Sequence, residues 1–184
     1  MKLVIGGLLV GTALAFVAVD GTPLTLYLLQ DNGTVLSGQP WALVTSIIVA
    51  PPNLVGIADV AFNAMALVWL DSLFSLTYSK AEYYAVFLAT GVAGNIFSIA
   101  NGPGVVSFGA SGGIFGLLAG VVSFDLVTNE KLNPMMIIWF AFIFAFSSFV
   151  FSYVDWLAHA GGALLGLALG YVIGVRRKGQ PATL

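Results

Sequence analysis

A serine set among glycines and a single histidine are the residues in this chain best suited to chemistry. Ser111 stands in Gly109-Ala110-Ser111-Gly112-Gly113, inside a glycine-rich run over 101–113. Glycines permit a tight turn with no Cβ clash. A serine on such a turn, at the start of a helix, faces outward beside backbone N–H groups that have no intrahelical acceptor. The helix dipole there favours negative charge, which suits the oxyanion of an acyl-transfer intermediate. A serine hydroxyl needs a base before it becomes a good nucleophile, and imidazole titrates in the useful range. The chain has one histidine, His159, so it is the only candidate of that kind. Each residue has a second reading. Ser111 could be an N-cap with glycines used for packing, and His159 could simply bond a neighbouring helix. Cysteine is absent, which excludes disulfides, thiolate zinc sites and a cysteine nucleophile.

The elements that must position these residues are membrane spans. Of the 184 residues, 59% are hydrophobic and 8% are charged, with a mean hydropathy of +1.01. Soluble domains are about a quarter charged, so this chain's solvent is lipid. A net charge of −2 implies no general attraction to nucleic acid. A spanning helix takes about 20 apolar residues. Six segments qualify: 3–19, 56–74, 82–99, 111–127, 134–152 and 156–175. The first lacks a clear small-residue cleavage site before Asp20 and reads as a retained helix rather than a signal peptide. The apolar patch 41–50 is too short to cross and is closed by Pro51 and Pro52, so it reads as an interfacial or partly embedded loop. The chain is expected to form one domain over 1–184.

Charge gives the orientation. Lys2, Lys80, Lys131, Arg176, Arg177 and Lys178 all fall on one side of a six-span chain, whereas the opposite loops carry Asp20, Asp31 and Asp155. The positive-inside rule then puts both termini in the cytoplasm. Spans two, four and six start on the outer side. Asp59 and Asn63 in span two, Ser111 in span four and His159 in span six therefore share one depth near the outer face. Polar groups at such a position are functional suspects. Gly112, Gly116 and Gly120 step by four along span four, and Gly162, Gly166, Gly170 and Gly174 do so along span six. Stripes of this kind let helices approach closely in lipid. If they face each other, Ser111 meets His159; generic packing without catalysis would produce the same stripes.

These residues resemble the rhomboid family of intramembrane serine proteases. Gly109-Ala110-Ser111-Gly112 is similar to the family's G-x-S-G nucleophile motif. Ala158-His159-Ala160-Gly161-Gly162, followed by Gly166 and preceded by Val154-Asp155, is similar to the pattern of its last core helix. The stretch 41–67, with Thr45-Ser46 and Phe62-Asn63-Ala64-Met65, resembles the first loop and second helix. The resemblance implies an all-α membrane protein with a six-helix rhomboid-like bundle. It implies a Ser111–His159 dyad, with Asn63 and the Ser111 N–H, and Asp59 as a further candidate, at the oxyanion site. The reaction would be peptide-bond hydrolysis in or near the transmembrane segment of a membrane-protein substrate, in the plasma membrane of a prokaryote. No metal or organic cofactor is implied.

Three positions depart from the family pattern. Asp59 stands where the family usually has a histidine. An ionised carboxylate would repel an oxyanion, whereas a protonated one would donate a hydrogen bond. Trp41-Ala42 replaces Trp-Arg in the first loop, so the arginine's contacts must be absent or replaced. Phe115 stands where many members have a tyrosine that packs on the histidine; the stack could remain without the hydroxyl. Asp155 invites a triad reading, but four residues before His159 its carboxylate points toward the start of the helix, which favours a capping role. The aromatic span five, with Trp139, Phe140, Phe142, Phe144, Phe146, Phe149 and Phe151, reads mainly as lipid-facing bulk and by analogy as a lateral gate for substrate. The chief rival function is a non-catalytic relative that binds and escorts transmembrane segments. A small transporter or channel ranks last, because its ionisable groups would be strung across the bilayer rather than gathered at one end.

Overall fold

A computed structural model of the chain describes residues 4, 6–7, 9–11, 18–19, 22–130, 134–149 and 154–179. Four helices in it are long and apolar enough to cross a membrane. They are α4 (Leu54–Thr77), α5 (Lys80–Ser98, continued by a 3-10 turn to Asn101), α6 (Ser111–Asn129) and α8 (Trp156–Lys178). A shorter apolar helix, α7 (Pro134–Phe149), covers most of the fifth expected span, whose last residues, 150–152, lie outside the described ones. The first expected span, 3–19, also lies mostly outside them; residues 4, 6, 7 and 9–11 are helical. The sequence thus places the ends of α4, α5, α6 and α8 within about three residues.

Local chemistry explains where the helices begin. Asn53 caps α4 by accepting from the Gly56 N–H (3.0 Å), after Pro51 and Pro52 have stopped the preceding segment. Ser79 and Glu82 form a reciprocal capping box on α5. The Asp155 carboxylate caps α8 by accepting from the Ala158 N–H (3.1 Å). At the other end of the bundle, Arg177 donates to the Thr77 carbonyl (2.6 Å) and pairs with Glu82, and Lys178 pairs with Glu130. The basic residues described here therefore gather at the end opposite Ser111 and His159.

The glycine stripes determine how the helices meet. A Cβ on Gly162, Gly166 or Gly170 of α8 would collide with the carbonyl oxygen of Gly112, Gly116 or Gly120 of α6 respectively. The two stripes are therefore in register, residue for residue, along three turns. The other side of α6 is as tight against α5: a Cβ on Gly113 would strike Phe87, and one on Gly116 would strike Thr90. Residues 112–121 of α6 are all buried, which makes it the central helix. In lipid such close backbone approach supplies the dispersion contacts that a hydrophobic effect cannot.

The region before α4 is more structured than a plain loop. It holds a short antiparallel pair, β1 (Ala18–Val19) with β2 (Thr22–Pro23), then α1 (Thr25–Leu28), β3 (Gln30–Asp31), α2 (Asn32–Ser37) and α3 (Ala42–Thr45). β3 pairs antiparallel with β4 (Val106–Ser107), just ahead of the serine turn. Within the patch 41–50, Ile47, Val49 and Ala50 are buried inside the protein. No arginine follows Trp41, and buried amides hold this region. Gln30 donates to the Asn95 carbonyl (2.8 Å), Asn32 to the Ser98 carbonyl (2.7 Å), and Asn95 to both the Leu43 carbonyl (2.8 Å) and the Ser46 hydroxyl (2.9 Å). Trp41 donates to the Tyr27 carbonyl (2.8 Å) and Thr45 to the Leu28 carbonyl (2.7 Å). Buried polar groups need such partners, and here they pin the loop to α5.

Candidate active site

Gly109 makes the turn that presents Ser111. Its φ of +95° is a backbone conformation that L side chains rarely adopt. Its N–H donates to the Ser46 carbonyl (2.9 Å), and a Cβ there would press on the Asp59 carboxylate. Ser111 is then the first residue of α6. The N-cap position belongs to Ala110, which has no side-chain cap bond. The Ser111 hydroxyl is not spent on capping: it lies 2.9 Å from His159 Nε2.

His159 sits one turn into α8, 3% exposed. The close α6–α8 contact carries it to Ser111, since Gly162, one turn further on, rests on Gly112. Its ring packs on Phe115 (centroids 4.5 Å apart, planes at 38°) and meets Phe144 edge-on (6.2 Å, 67°). The aromatic stack expected of Phe115 is thus present. The other ring nitrogen, Nδ1, is 2.7 Å from the Ser148 hydroxyl on α7. Nothing in the sequence marked Ser148, one of two adjacent serines on a phenylalanine-rich helix. Asp155 takes no part on the ring: its Oδ1 accepts from the Ala158 N–H and from Asn101 Nδ2 (2.8 Å).

Asn63 and Asp59 line the same cavity as Ser111 and His159. Asn63 is buried and its side chain bears on the Asp59 carboxylate, but neither its amide Nδ2 nor Asp59 Oδ2 makes a hydrogen bond of ordinary geometry. An unpartnered buried donor costs free energy unless something completes it. The four expected site residues are therefore gathered at one place. The cavity measures about 930 Å³ and runs between α4 and α7, with Phe62, Met65 and Trp69 on one wall and Phe142 and Phe146 on the other. Its walls are mostly apolar, with a few polar groups that include Ser111, His159, Asn63 and Asp59, the pattern of a ligand site.

The rhomboid domain family matches residues 37–176. The rhomboid protease GluP of Bacillus subtilis (strain 168) is 30% identical over 157 residues, covering 82% of this chain and 29% of GluP, so the chain spans under a third of that relative's length. YdcA of the same organism is 29% identical over 145 residues, covering 77% of this chain and 71% of YdcA. RHOMBOID-like protein 5 of Arabidopsis thaliana is 28% identical over 153 residues, covering 79% of this chain and 48% of that protein. The match takes in the serine turn, the histidine helix and the loop packed against them, and this multi-pass membrane protein belongs to the rhomboid family.

Proposed function

We propose that the chain is an intramembrane serine endopeptidase in which Ser111 is the nucleophile and His159 the general base. The observation that carries this reading is the 2.9 Å contact between the Ser111 hydroxyl and His159 Nε2, at the inner end of an apolar cavity. Ser111 Oγ attacks the scissile carbonyl carbon as its proton passes to Nε2. The carbonyl oxygen becomes an oxyanion, which receives hydrogen bonds from the Ser111 N–H and from the Asn63 amide. Collapse of the intermediate breaks the C–N bond, and the leaving amine takes the proton from His159. Water, activated by the same imidazole, then hydrolyses the acyl-enzyme.

The mostly apolar walls support a membrane-protein segment as the substrate class. An extended piece of a transmembrane or juxtamembrane segment would set its apolar side chains between α4 and α7, and its scissile bond at the polar end. The name of GluP, a rhomboid protease, supports the reaction class. The positive-inside pattern supports cytoplasmic termini and a site near the outer face of the membrane.

A fluorophosphonate tests the nucleophile. It should label the wild-type chain, fail on Ser111→Ala and label His159→Ala only at a trace rate. An unlabelled wild type that still binds transmembrane segments would establish the escort function in place of the protease.

A further inference from the structure

The imidazole of His159 is held between two serine hydroxyls, and the reaction proposed above uses only one of them. We propose that Ser148 is a positioning residue for His159, holding the ring in the tautomer and orientation that the base requires. The inference rests on the Ser111–His159 reading and adds a third member from a different helix.

The argument is one of donors and acceptors. To take the Ser111 proton, Nε2 must present a lone pair, and a neutral imidazole then carries its hydrogen on Nδ1. An Nδ1–H in a buried site needs an acceptor. The Ser148 oxygen at 2.7 Å is that acceptor, and both residues are nearly inaccessible, at 4% and 3% exposure. The carboxylate that would fill this role in a triad makes no bond to the ring: Asp155 Oδ1 caps α8 and accepts from Asn101, and Oδ2 has no hydrogen-bond partner. The ring's aromatic neighbours, Phe115 and Phe144, supply no acceptor oxygen. Ser148 is also unlike its neighbour. Ser147 turns back to donate to the Ile143 carbonyl of its own helix (2.8 Å), the ordinary behaviour of a helical serine in lipid, whereas Ser148 reaches across to α8. When Nε2 takes the Ser111 proton the ring becomes cationic, and the Nδ1–H···Oγ bond strengthens with no proton moving to Ser148. The base is thereby tied to α7, the helix that also forms one wall of the cavity.

The single histidine makes a direct test possible. Nitrogen-15 NMR of the full chain, labelled at histidine, reports on one imidazole alone. The neutral wild-type ring should show a protonated Nδ1 and a bare Nε2. Ser148→Ala should give a mixture of tautomers and slow fluorophosphonate labelling of Ser111 by about tenfold, the loss of one buried hydrogen bond. Ser148→Thr should keep the wild-type tautomer and most of the rate, while Ser148→Val, equal to threonine in shape, should behave like alanine. The Thr and Val pair decides the matter if the alanine variant does not fold. Wild-type tautomer and labelling rate in Ser148→Ala, or equal behaviour of the Thr and Val variants, would overturn the proposal. Failure of the wild type to label would instead overturn the nucleophile reading, and the tautomer spectra would still decide whether Ser148 holds the ring.

Discussion

At the scale of residues, the site is two hydrogen bonds to one imidazole with unpartnered polar atoms around it. Ser111 and His159 are joined at 2.9 Å, while Asn63 Nδ2 and Asp59 Oδ2 are buried without partners in the same cavity. In the proposed mechanism the Asn63 amide donates to the developing oxyanion. Asn63→Ala is expected to lower kcat by about 100- to 1,000-fold with KM little changed, and steady-state kinetics on a cleaved substrate would check this. Asp59→His should give equal or higher turnover, and a large loss in the same assay would show that the carboxylate has a task of its own. Ser111, His159 and Asn63 were legible as candidates because polar residues are conspicuous in apolar spans and topology brings them to one depth. Asp155 was legible as a cap because its offset from His159 aims its carboxylate at the start of the helix. Ser148 was not legible. A helical serine that satisfies itself on its own backbone and one that reaches a neighbouring helix look the same in a sequence; only the packing of α7 against α8 separates Ser148 from Ser147.

At the scale of elements, the contact between α6 and α8 sets the distance between serine and histidine. Gly162 of α8 rests on the Gly112 carbonyl, directly beside Ser111. A branched side chain there would push two backbones apart, and neither can yield as a side-chain rotamer could. Gly162→Val should therefore abolish labelling of Ser111 and destabilise the bundle by about 1–3 kcal/mol, visible as a lower unfolding midpoint in detergent. Leu164→Val, on the lipid-facing side of the same helix at 56% exposure, should change neither. The four-residue glycine period made this pairing readable, because a smooth stripe is useful only against another close surface. The loop network was not readable. Gln30 and Asn32 meet Asn95 and Ser98 across 65 and 66 residues of chain, and no local pattern announces such partners. Between α4 and α7 the cavity is open along its apolar walls. A disulfide engineered across that gap should stop cleavage of a transmembrane substrate reversibly, with activity restored by reductant; undiminished cleavage in the oxidised form would remove α7 from substrate entry.

At the scale of the whole molecule, the described basic residues lie away from the site. Arg177, Lys178, Glu82 and Glu130 pair at one end, whereas Ser111, His159, Asp59 and Asn63 lie at the other. That division was visible in the spacing of the basic residues, since the positive-inside rule acts on sequence position alone. The short β3–β4 pair was invisible, because two-residue strands carry no periodicity to detect. The separation leaves one polar pocket facing an apolar cavity, and the central claim is that this pocket hydrolyses peptide bonds. The most direct measurement is cleavage in proteoliposomes that contain the full chain and a single-span membrane protein, with the products identified by mass. We expect the wild type to cut the substrate in or beside its transmembrane segment, and Ser111→Ala and His159→Ala to leave it whole. Equal cleavage by Ser111→Ala would contradict the account, as would a wild type that binds a panel of such substrates and cuts none.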